Sequence, residues 1–442
     1  MKIGIVSLGC AKNLVDTEIV LGFLQKAGHE FVSDAQQAEI IIINTCGFIA
    51  EAKEESIDSI FEMAALKKAG NCRGLIVIGC LSQRYSEKLW QEIPEIDGIL
   101  GSNELDLVPQ VVEEVARGRR LRKIRGALFD YNQVYPRVST TGGHLAYLKI
   151  AEGCSHRCAF CVIPKIRGPY RSRQPSVILE EAGQMAQNGV QEIAVIAQDT
   201  TAYGRDLGTG IEDLLADLAK VPIPWLRLLY TYPTAISDTL LDIIGREERI
   251  VKYVDLPLQH VSKPVLRRMK RPGDYEANLR LVEKIRERIP GVVIRSSFIV
   301  GFPGEREHDF QKLLQFLEEA RLNHVGIFKY SREENSSAYK LQPQIAFAVK
   351  KERQQEAMAR QRQISLELNR QLVGKTVDVL LEHVSTESEL VLLGRHQGQA
   401  PDVDGCVYVG RGSLEPGRIV PVKITEAHPY DLVGEVVENE FT

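Results

Sequence analysis

The 442-residue chain predicts an α/β protein in three parts. Residues 1–116 read as an N-terminal doubly wound parallel-sheet domain, residues 140–370 as a partial, TIM-like (β/α)6 barrel, and residues 373–440 as a small all-β barrel. Three observations predict this. Short apolar runs rich in β-branched residues alternate with helical patterns through the first part, the signature of a parallel sheet covered on both faces. Six more strand–helix pairs follow, too few to close an eight-stranded barrel. The tail then changes to short β-rich runs punctuated by Gly and Pro.

In the first part, Ile3–Leu8 is a strand, and Asp16–Ala27 is helical up to Gly28, a natural stop. Glu39–Asn44 and Leu75–Ile78 are further strands, separated by the amphipathic helix Ile49–Lys68 and followed by a helix near Arg84–Ile93. Gly98–Leu100 and Glu104–Ala116 add one strand and one helix. Residues 117–125 carry six Lys and Arg and read as a solvated linker, with contact to an anionic partner the weaker alternative.

Cys10, Cys46 and Cys80 each fall just beyond the carboxyl end of one of these strands. In an open parallel sheet those ends share one edge, where ligands bind, so thiols about 35 residues apart in sequence can meet in space. Gly9, Gly47 and Gly79 flank them and permit close backbone approach. One such cysteine would be a packing residue. Three at equivalent positions point instead to metal or redox chemistry. Cys72 and Cys406 fit the packing reading.

The central strands are Ala146–Ala151, Ile193–Ala197, Leu226–Tyr232, Tyr253–Leu258, Val293–Val300 and Val325–Tyr330, with helical patterns between them. Directly after the first comes Cys154-Ser-His-Arg-Cys158-Ala-Phe-Cys161. Three thiolates in one C-x3-C-x2-C loop are soft ligands of the kind that hold iron–sulfur clusters. A four-iron cube on three thiolates keeps one iron open for a substrate or cofactor. The alternatives are a structural zinc knuckle or a group of buried thiols. Against zinc, no His or Cys follows Cys161 within a few residues, and His156 is badly placed to complete a tetrahedron.

Parallel βα folds place their chemistry at the carboxyl ends of the strands, and the cysteine loop follows the first of them. Gln198 and Asp199 follow the second strand, Gln259 follows the fourth, Arg295 lies early in the fifth, and the Gly301-Phe-Pro-Gly304 turn ends it. Gln198, Gln259, Arg295 and Gly301 are therefore candidate cofactor contacts; for each, turn formation or solvation is the alternative.

In the tail, Val349–Leu372 is a charged connecting helix that stops at Gly374. The barrel strands are Thr376–Leu381, Leu390–Leu393, Val407–Gly410, Ile419–Thr425 and Leu432–Val437. Residues 371–442 hold five basic and twelve acidic residues, a net of −7, against +3 for the rest of the chain. A module of that sign repels nucleic acid, whose phosphates demand Lys and Arg. It attracts a basic partner; the alternative is that the acids only keep a surface module soluble. The N-terminus lacks the apolar run of a signal peptide and no run reaches membrane-spanning length. The expectation is a cytoplasmic protein without membrane contact, whose eight cysteines serve metals rather than disulfides.

Cys154, Cys158 and Cys161, with Phe160 before the last, resemble the signature of the radical SAM enzymes. The resemblance implies that these three hold a [4Fe–4S] cluster whose open iron is chelated by S-adenosyl-L-methionine (SAM). It also implies that the fifth strand and its Gly301 turn pack beside the adenine. The tail is similar in size and position to the TRAM domain, a module usually linked to RNA binding. A three-cysteine domain, a radical SAM core and a TRAM tail in that order resemble the methylthiotransferases over nearly the whole chain. The runs Ser7-Leu-Gly-Cys-Ala-Lys-Asn-Leu-Val-Asp16, Asn44-Thr-Cys-Gly-Phe48, Pro164-Lys-Ile-Arg-Gly168 and Gln198-Asp-Thr-Thr-Ala-Tyr-Gly204 look most like the RimO group. That group modifies an aspartate of small-subunit ribosomal protein S-twelve. Ala11 stands where Pro is more usual, at a position that is no expected ligand.

On this resemblance Cys10, Cys46 and Cys80 hold a second [4Fe–4S] cluster that presents sulfur. SAM is both radical source and methyl donor, and an electron donor such as flavodoxin or ferredoxin feeds the reaction. The expected reaction is methylthiolation of an aspartate β-carbon, on the ribosomal protein free or within the ribosome. No side-chain base removes a proton from such a carbon, so cofactors must carry the chemistry. The alternative is the sister group that thiolates tRNA adenosines carrying isopentenyl or threonylcarbamoyl groups, under which tRNA is a partner. An electron carrier, another radical SAM enzyme and an RNA-binding module with structural clusters are the readings from other classes. Anaerobic incubation with SAM and reductant separates them, because only a methylthiotransferase yields both 5′-deoxyadenosine and S-adenosylhomocysteine.

Overall fold

The computed structural model describes residues 1–70 and 72–437, so Glu438, Glu440 and the end of the expected 373–440 domain lie outside the described residues. The chain forms two compact units. One comprises Met1–Thr140, Lys149–Ile178 and Ser331–Tyr339; the other comprises Thr141–Leu148, Leu179–Tyr330 and Lys340–Thr442.

The first unit opens with β1 (Lys2–Ser7), α1 (Ala11–Lys26), β2 (Glu30–Phe31), β3 (Ile40–Thr45) and α2 (Ala50–Ala69). It continues with β4 (Gly74–Gly79), α3 (Cys80–Glu92), β5 (Gly98–Leu100), α4 (Val108–Ala116) and β6 (Leu121–Lys123). The sheet runs β2-β1-β3-β4-β5-β6, with all neighbours parallel. Every residue of β3 and β4 is buried, as a parallel sheet covered on both faces requires.

Two details differ from the sequence reading. The basic segment 117–125 is not a free linker, because it contributes β6, with Leu121 opposite Gly98. Arg120 stacks on Trp90 at 4.0 Å and donates to the Ile96 carbonyl at 2.7 Å. An edge strand keeps one side in solvent, so it tolerates this charge. Also, α3 begins at Cys80 itself and is broken at Tyr85, which has non-helical angles.

Beyond β6 the chain enters β7 (Leu145–Lys149), whose last residue returns it to the first unit. That unit then gains β8 (Ala151–Glu152), α5 (Ile163–Ile166) and β9 (Arg171–Ser172). β8 and β9 pair antiparallel, Ala151 with Ser172 and Glu152 with Arg171. Val162 and Ile166 pack against Cys80 and Phe48.

α6 (Pro175–Gln187) carries the chain from the first unit into the second, which continues through β10 (Glu192–Ile196), α7 (Ile211–Leu218), β11 (Trp225–Leu228), α8 (Asp238–Arg246) and β12 (Tyr253–Asp255). Then come α9 (Lys263–Met269), α10 (Tyr275–Arg288), β13 (Val293–Val300), α11 (Glu307–Ala320) and β14 (His324–Lys329). β7, β10 and β11 form one three-stranded sheet, and β12, β13 and β14 another. Spatial order follows sequence order in both, the winding of an incomplete barrel. Main-chain bonds from Leu226 N–H to Arg249 and from Val251 N–H to Leu226 join the two sheets.

α12 (Phe347–Arg370) leads to β15 (Thr376–Val384), β16 (Val391–His396), β17 (Val407–Gly410), β18 (Ile419–Ala427) and β19 (Leu432–Val436). These close into a barrel in the order β15-β16-β17-β19-β18 around Val379, Leu381, Leu392 and Val422. The barrel is seated on the amino-terminal ends of the central strands. Tyr253 at the start of β12 bonds Asp404 at 2.6 Å, and His324 at the start of β14 meets the Gly398 carbonyl at 2.8 Å. A buried chain of charges, Arg227–Glu192–Arg395–Glu382, links the two with contacts of 2.5, 2.7 and 2.6 Å.

Glu382 and Asp404 thus belong to the tail's negative charge but face inward. Asp378, Glu387, Glu389, Asp402, Glu415, Glu426 and Glu435 are exposed, against Lys375, Arg418 and Lys423 among the exposed bases, so the surface stays acidic. Burial opposes ionisation of Glu382, but its bonds from His144 and Arg395 win and hold its pKa at about 2, below the ordinary 4.5. The stabilisation is therefore present above about pH 4.5 and is lost as pH falls toward 2, on the order of 3 kcal/mol in all. Thermal melting of Glu382→Gln should show a lower melting temperature at neutral pH and a shallower acid limb than wild type. Parallel acid limbs would contradict this.

Candidate functional site

Cys10, Cys46 and Cys80 follow β1, β3 and β4, three neighbouring strands of one parallel sheet. Their turns touch. A Cβ on Gly9, whose φ is +93°, would stand 2.9 Å from Cys46 Cβ and 3.2 Å from its Sγ. A Cβ on Gly47 would stand 2.7 Å from Leu81 Cα and 2.9 Å from the Cys80 carbonyl. Only glycine lets these backbones approach so closely.

Cys10 is exposed, Cys46 half-buried and Cys80 buried. Burial pushes the Cys80 thiol up to about 12 despite the pull of Arg167, and raises Cys46 as well. At Cys10 the surrounding protein also opposes charge, but Lys12, the Asn13 N–H and Arg167 outweigh it and lower the pKa. A metal held by this set would displace protons, since thiolate is the ligating form. Among the described residues no three His, Cys, Asp or Glu side chains stand close enough to share one metal ion. A four-iron cube does not ask that of its ligands, because each thiolate takes its own iron.

The second triad lies in the same compact unit. Cys154 is buried and Cys158 and Cys161 are half-buried. The loop is held by Cys154 N–H to the Gly168 carbonyl at 3.1 Å and Cys161 N–H to the Cys158 carbonyl at 3.2 Å. Ile163 N–H donates to Cys161 Sγ at 3.5 Å. No disulfide joins cysteines among the described residues.

Between the triads runs a buried charged network. Arg167 Nε donates to Cys80 Sγ at 3.3 Å, Nη2 to Asn13 Oδ1 at 2.5 Å and Nη1 to Asp16 Oδ2 at 2.5 Å. Lys149 Nζ donates to Asp16 at 2.5 Å and to Glu152 at 2.9 Å. Tyr131 adds its hydroxyl to Asp16 at 2.9 Å. Asn13 also donates to the Leu8 and Thr45 carbonyls, both at 3.0 Å, tying the Cys10 turn to the Cys46 turn. The network starts two residues before Cys154 and ends on Cys80. It places a guanidinium where a set of thiolates needs a counter-charge.

The other sequence candidates lie in the second unit. Gln198 follows β10, half-buried, beside buried Asp199. Gln259 follows β12 with φ +72°, its N–H on the Ser297 carbonyl at 2.8 Å. Tyr230, just past β11, has φ +61° and donates its N–H to Asp255 at 2.8 Å. Such backbone strain in side-chain-bearing residues concentrates at functional edges. Gly301 ends β13 at φ +73°, where a Cβ would lie 2.3 Å from the Lys350 stem. Arg295 sits in the amino-terminal half of β13, as the sequence placed it, paired with Asp404 at 3.2 Å and near Asp255 at 3.8 Å. A buried guanidinium needs those carboxylates, and that fixes its place.

Sequence reasoning assigned no role to Asn13, Asp16, Lys149, Glu152 or Arg167. The available signal was Lys149 itself, a charge inside the apolar strand Leu145–Lys149 and fully buried.

Comparison with known proteins matches residues 2–101 to "Uncharacterized protein family UPF0004", residues 148–317 to the Radical SAM superfamily and residues 373–437 to the TRAM domain. The "Ribosomal protein uS12 methylthiotransferase RimO" of Syntrophotalea carbinolica is 46% identical, covering 99% of the chain and 97% of that relative. Proteins of the same name from Geotalea uraniireducens and Myxococcus xanthus are 47% and 46% identical, over 99% and 98% of the chain and 98% and 91% of theirs. Among solved structures, the radical S-adenosylmethionine methyltransferase TsrM of Kitasatospora setae, with cobalamin and a [4Fe–4S] cluster bound, superposes with a TM-score of 0.58. At 15% identity over 85% of this chain and 78% of that one, it shares the fold. With relatives this similar along nearly all of its length, the chain belongs to the RimO family of ribosomal protein uS12 methylthiotransferases.

Proposed function

We propose that this radical SAM methylthiotransferase modifies the β-carbon of an aspartate in small-subunit ribosomal protein S-twelve, free or on the ribosome. The observation that carries this beyond family membership is the placement of both cysteine triads in one compact unit, joined by the buried Arg167 network. Cys154, Cys158 and Cys161 would hold one [4Fe–4S] cluster, and Cys10, Cys46 and Cys80 a second. When bound, the clusters and SAM supply the electron chemistry, the hydrogen abstraction, the sulfur and the methyl group. Gln198, Gln259 and the Gly301 turn contribute the SAM-facing edge of the central strands. Arg167 holds the Cys80 turn and balances thiolate charge.

Residues 1–116, 140–370 and 373–440 serve as sulfur, radical and docking domains respectively. The electron donor is a flavodoxin or ferredoxin, and the setting is the cytoplasm. Among the described residues no helix is long and apolar enough to cross a membrane. The excess of exposed acids on the tail favours a basic protein over tRNA. The barrel's seat on the amino-terminal ends sets it about 26 Å, the length of the eight-residue β13, from the opposite edge. Only a macromolecular substrate spans that.

The test offers the anaerobically reconstituted enzyme unmodified S-twelve and, separately, unmodified tRNA. A mass gain of one methylthio group on the protein's aspartate is expected. Methylthiolation of tRNA alone would overturn the proposal. Replacing Glu387, Glu389 and Glu415 together by lysine should raise KM for S-twelve about tenfold; an unchanged KM removes the tail from docking.

A further inference from the structure

Arg171 is the charge in this neighbourhood that the network leaves over. It lies in β9, its backbone opposite Glu152 and therefore beside the entry to the cysteine loop. Its two terminal nitrogens are shut off from solvent and have no hydrogen-bond partner among the described residues. Asp130 beside it is exposed and accepts from the Asn132 N–H at 2.9 Å, and the other neighbouring charges are engaged elsewhere. Glu152 is held by Lys149 at 2.9 Å and by the Gly153 N–H at 3.1 Å. Arg173 donates to the carbonyls of Tyr131 at 2.8 Å and Lys149 at 2.6 Å. A sealed guanidinium with both fork nitrogens unmatched is costly unless an anion completes it.

The place for one is adjacent. A cavity of about 180 Å³ has Phe129, Asp130, Tyr131, Glu152, Arg171 and Arg173 among its lining residues. It is close to the cysteine loop: the Gly168 carbonyl accepts from Cys154 N–H at 3.1 Å, and a Cβ on Gly168 would lie 3.4 Å from Arg171 Nη1. Cofactor pockets run from roughly 300 Å³ upward, so SAM does not fit, whereas one side-chain carboxylate does. Two parallel donors on one guanidinium match the two oxygens of a carboxylate.

We infer that Arg171 is a specificity-determining residue that receives the carboxylate of the substrate aspartate and holds its β-carbon toward the Cys154 loop. This rests on the protein-aspartate reading above. It separates the substrate from any neutral or polyanionic competitor, because a single buried fork rewards one carboxylate and rejects an amide.

The test compares wild type, Arg171→Met and Arg171→Lys, all reconstituted, on unmodified S-twelve and on S-twelve with the target aspartate changed to asparagine. Wild type should prefer the aspartate form. In Arg171→Met the KM for that form should rise about 10- to 100-fold while the asparagine form changes little, so the preference collapses. Arg171→Lys keeps the charge without the fork and should fall between. A preference unchanged in both variants overturns the inference. Loss of SAM cleavage measured without S-twelve would assign Arg171 to SAM and also overturn it. Should Arg171→Met fail to hold iron, Arg171→Lys decides, and a wild-type preference there counts against the inference. Wild type that leaves S-twelve unmodified fails the functional reading itself, an outcome distinct from a variant that modifies it without losing preference.

Discussion

Replacing Cys154, Cys158 and Cys161 together with alanine should halve the iron of anaerobically reconstituted protein, from about eight to about four per chain, and abolish 5′-deoxyadenosine formation. Replacing Cys10, Cys46 and Cys80 should also halve the iron but leave some SAM cleavage. The two outcomes differ because different elements hold the two triads. The first sits in one contiguous loop pinned by Gly168. The second depends on three strand ends meeting at one sheet edge. Neither scaffold supplies a thiol to the other, so loss of one site does not dismantle its neighbour. Iron analysis with electron paramagnetic resonance, and chromatography of the SAM products, read both results. Full iron in the Cys10/Cys46/Cys80 variant would remove the N-terminal site.

Arg167→Met should lower the melting temperature by about 10 °C and drain iron toward four per chain. The side chains of Asp16, Lys149, Glu152 and Arg167 are all at most 3% exposed. Removing the guanidinium leaves two buried carboxylates sharing one ammonium. Breaking a buried pair this way costs about 3–5 kcal/mol, because the abandoned charge has no water to turn to. Cys80 loses its N–H···S contact in the same step, so the proposed metal site should weaken with the fold. The exposed pair Lys220–Asp217, with side chains 75% and 46% exposed, is the contrast: Lys220→Met should leave melting unchanged. Calorimetry and iron analysis check both variants. An Arg167→Met protein that melts and binds iron like wild type would leave the network without its role.

The contiguous motif Cys154–Cys161 was legible because its three thiols need only one loop, whatever surrounds it. The Cys10, Cys46 and Cys80 set needed one more step, the rule that parallel strand ends share an edge. β3, β4 and the tail barrel were equally readable, since apolar runs and Gly/Pro breaks are local signals. Short edge strands carry no such signal: β2 is two residues, and β6 is hidden among arginines.

The sequence by itself determined the modules, their order and the family likeness, and offered the two triads as candidates, because each rests on residues near one another in the chain or on a repeated pattern. Only the tertiary structure decided which charges are interior. Arg167 meets Asp16 across 151 positions, Arg395 meets Glu192 across 203, and Arg295 meets Asp404 across 109. No local pattern records such pairs. Burial selects them, since an ion removed from water must find a partner or be excluded, and the partner is whichever residue the fold brings near.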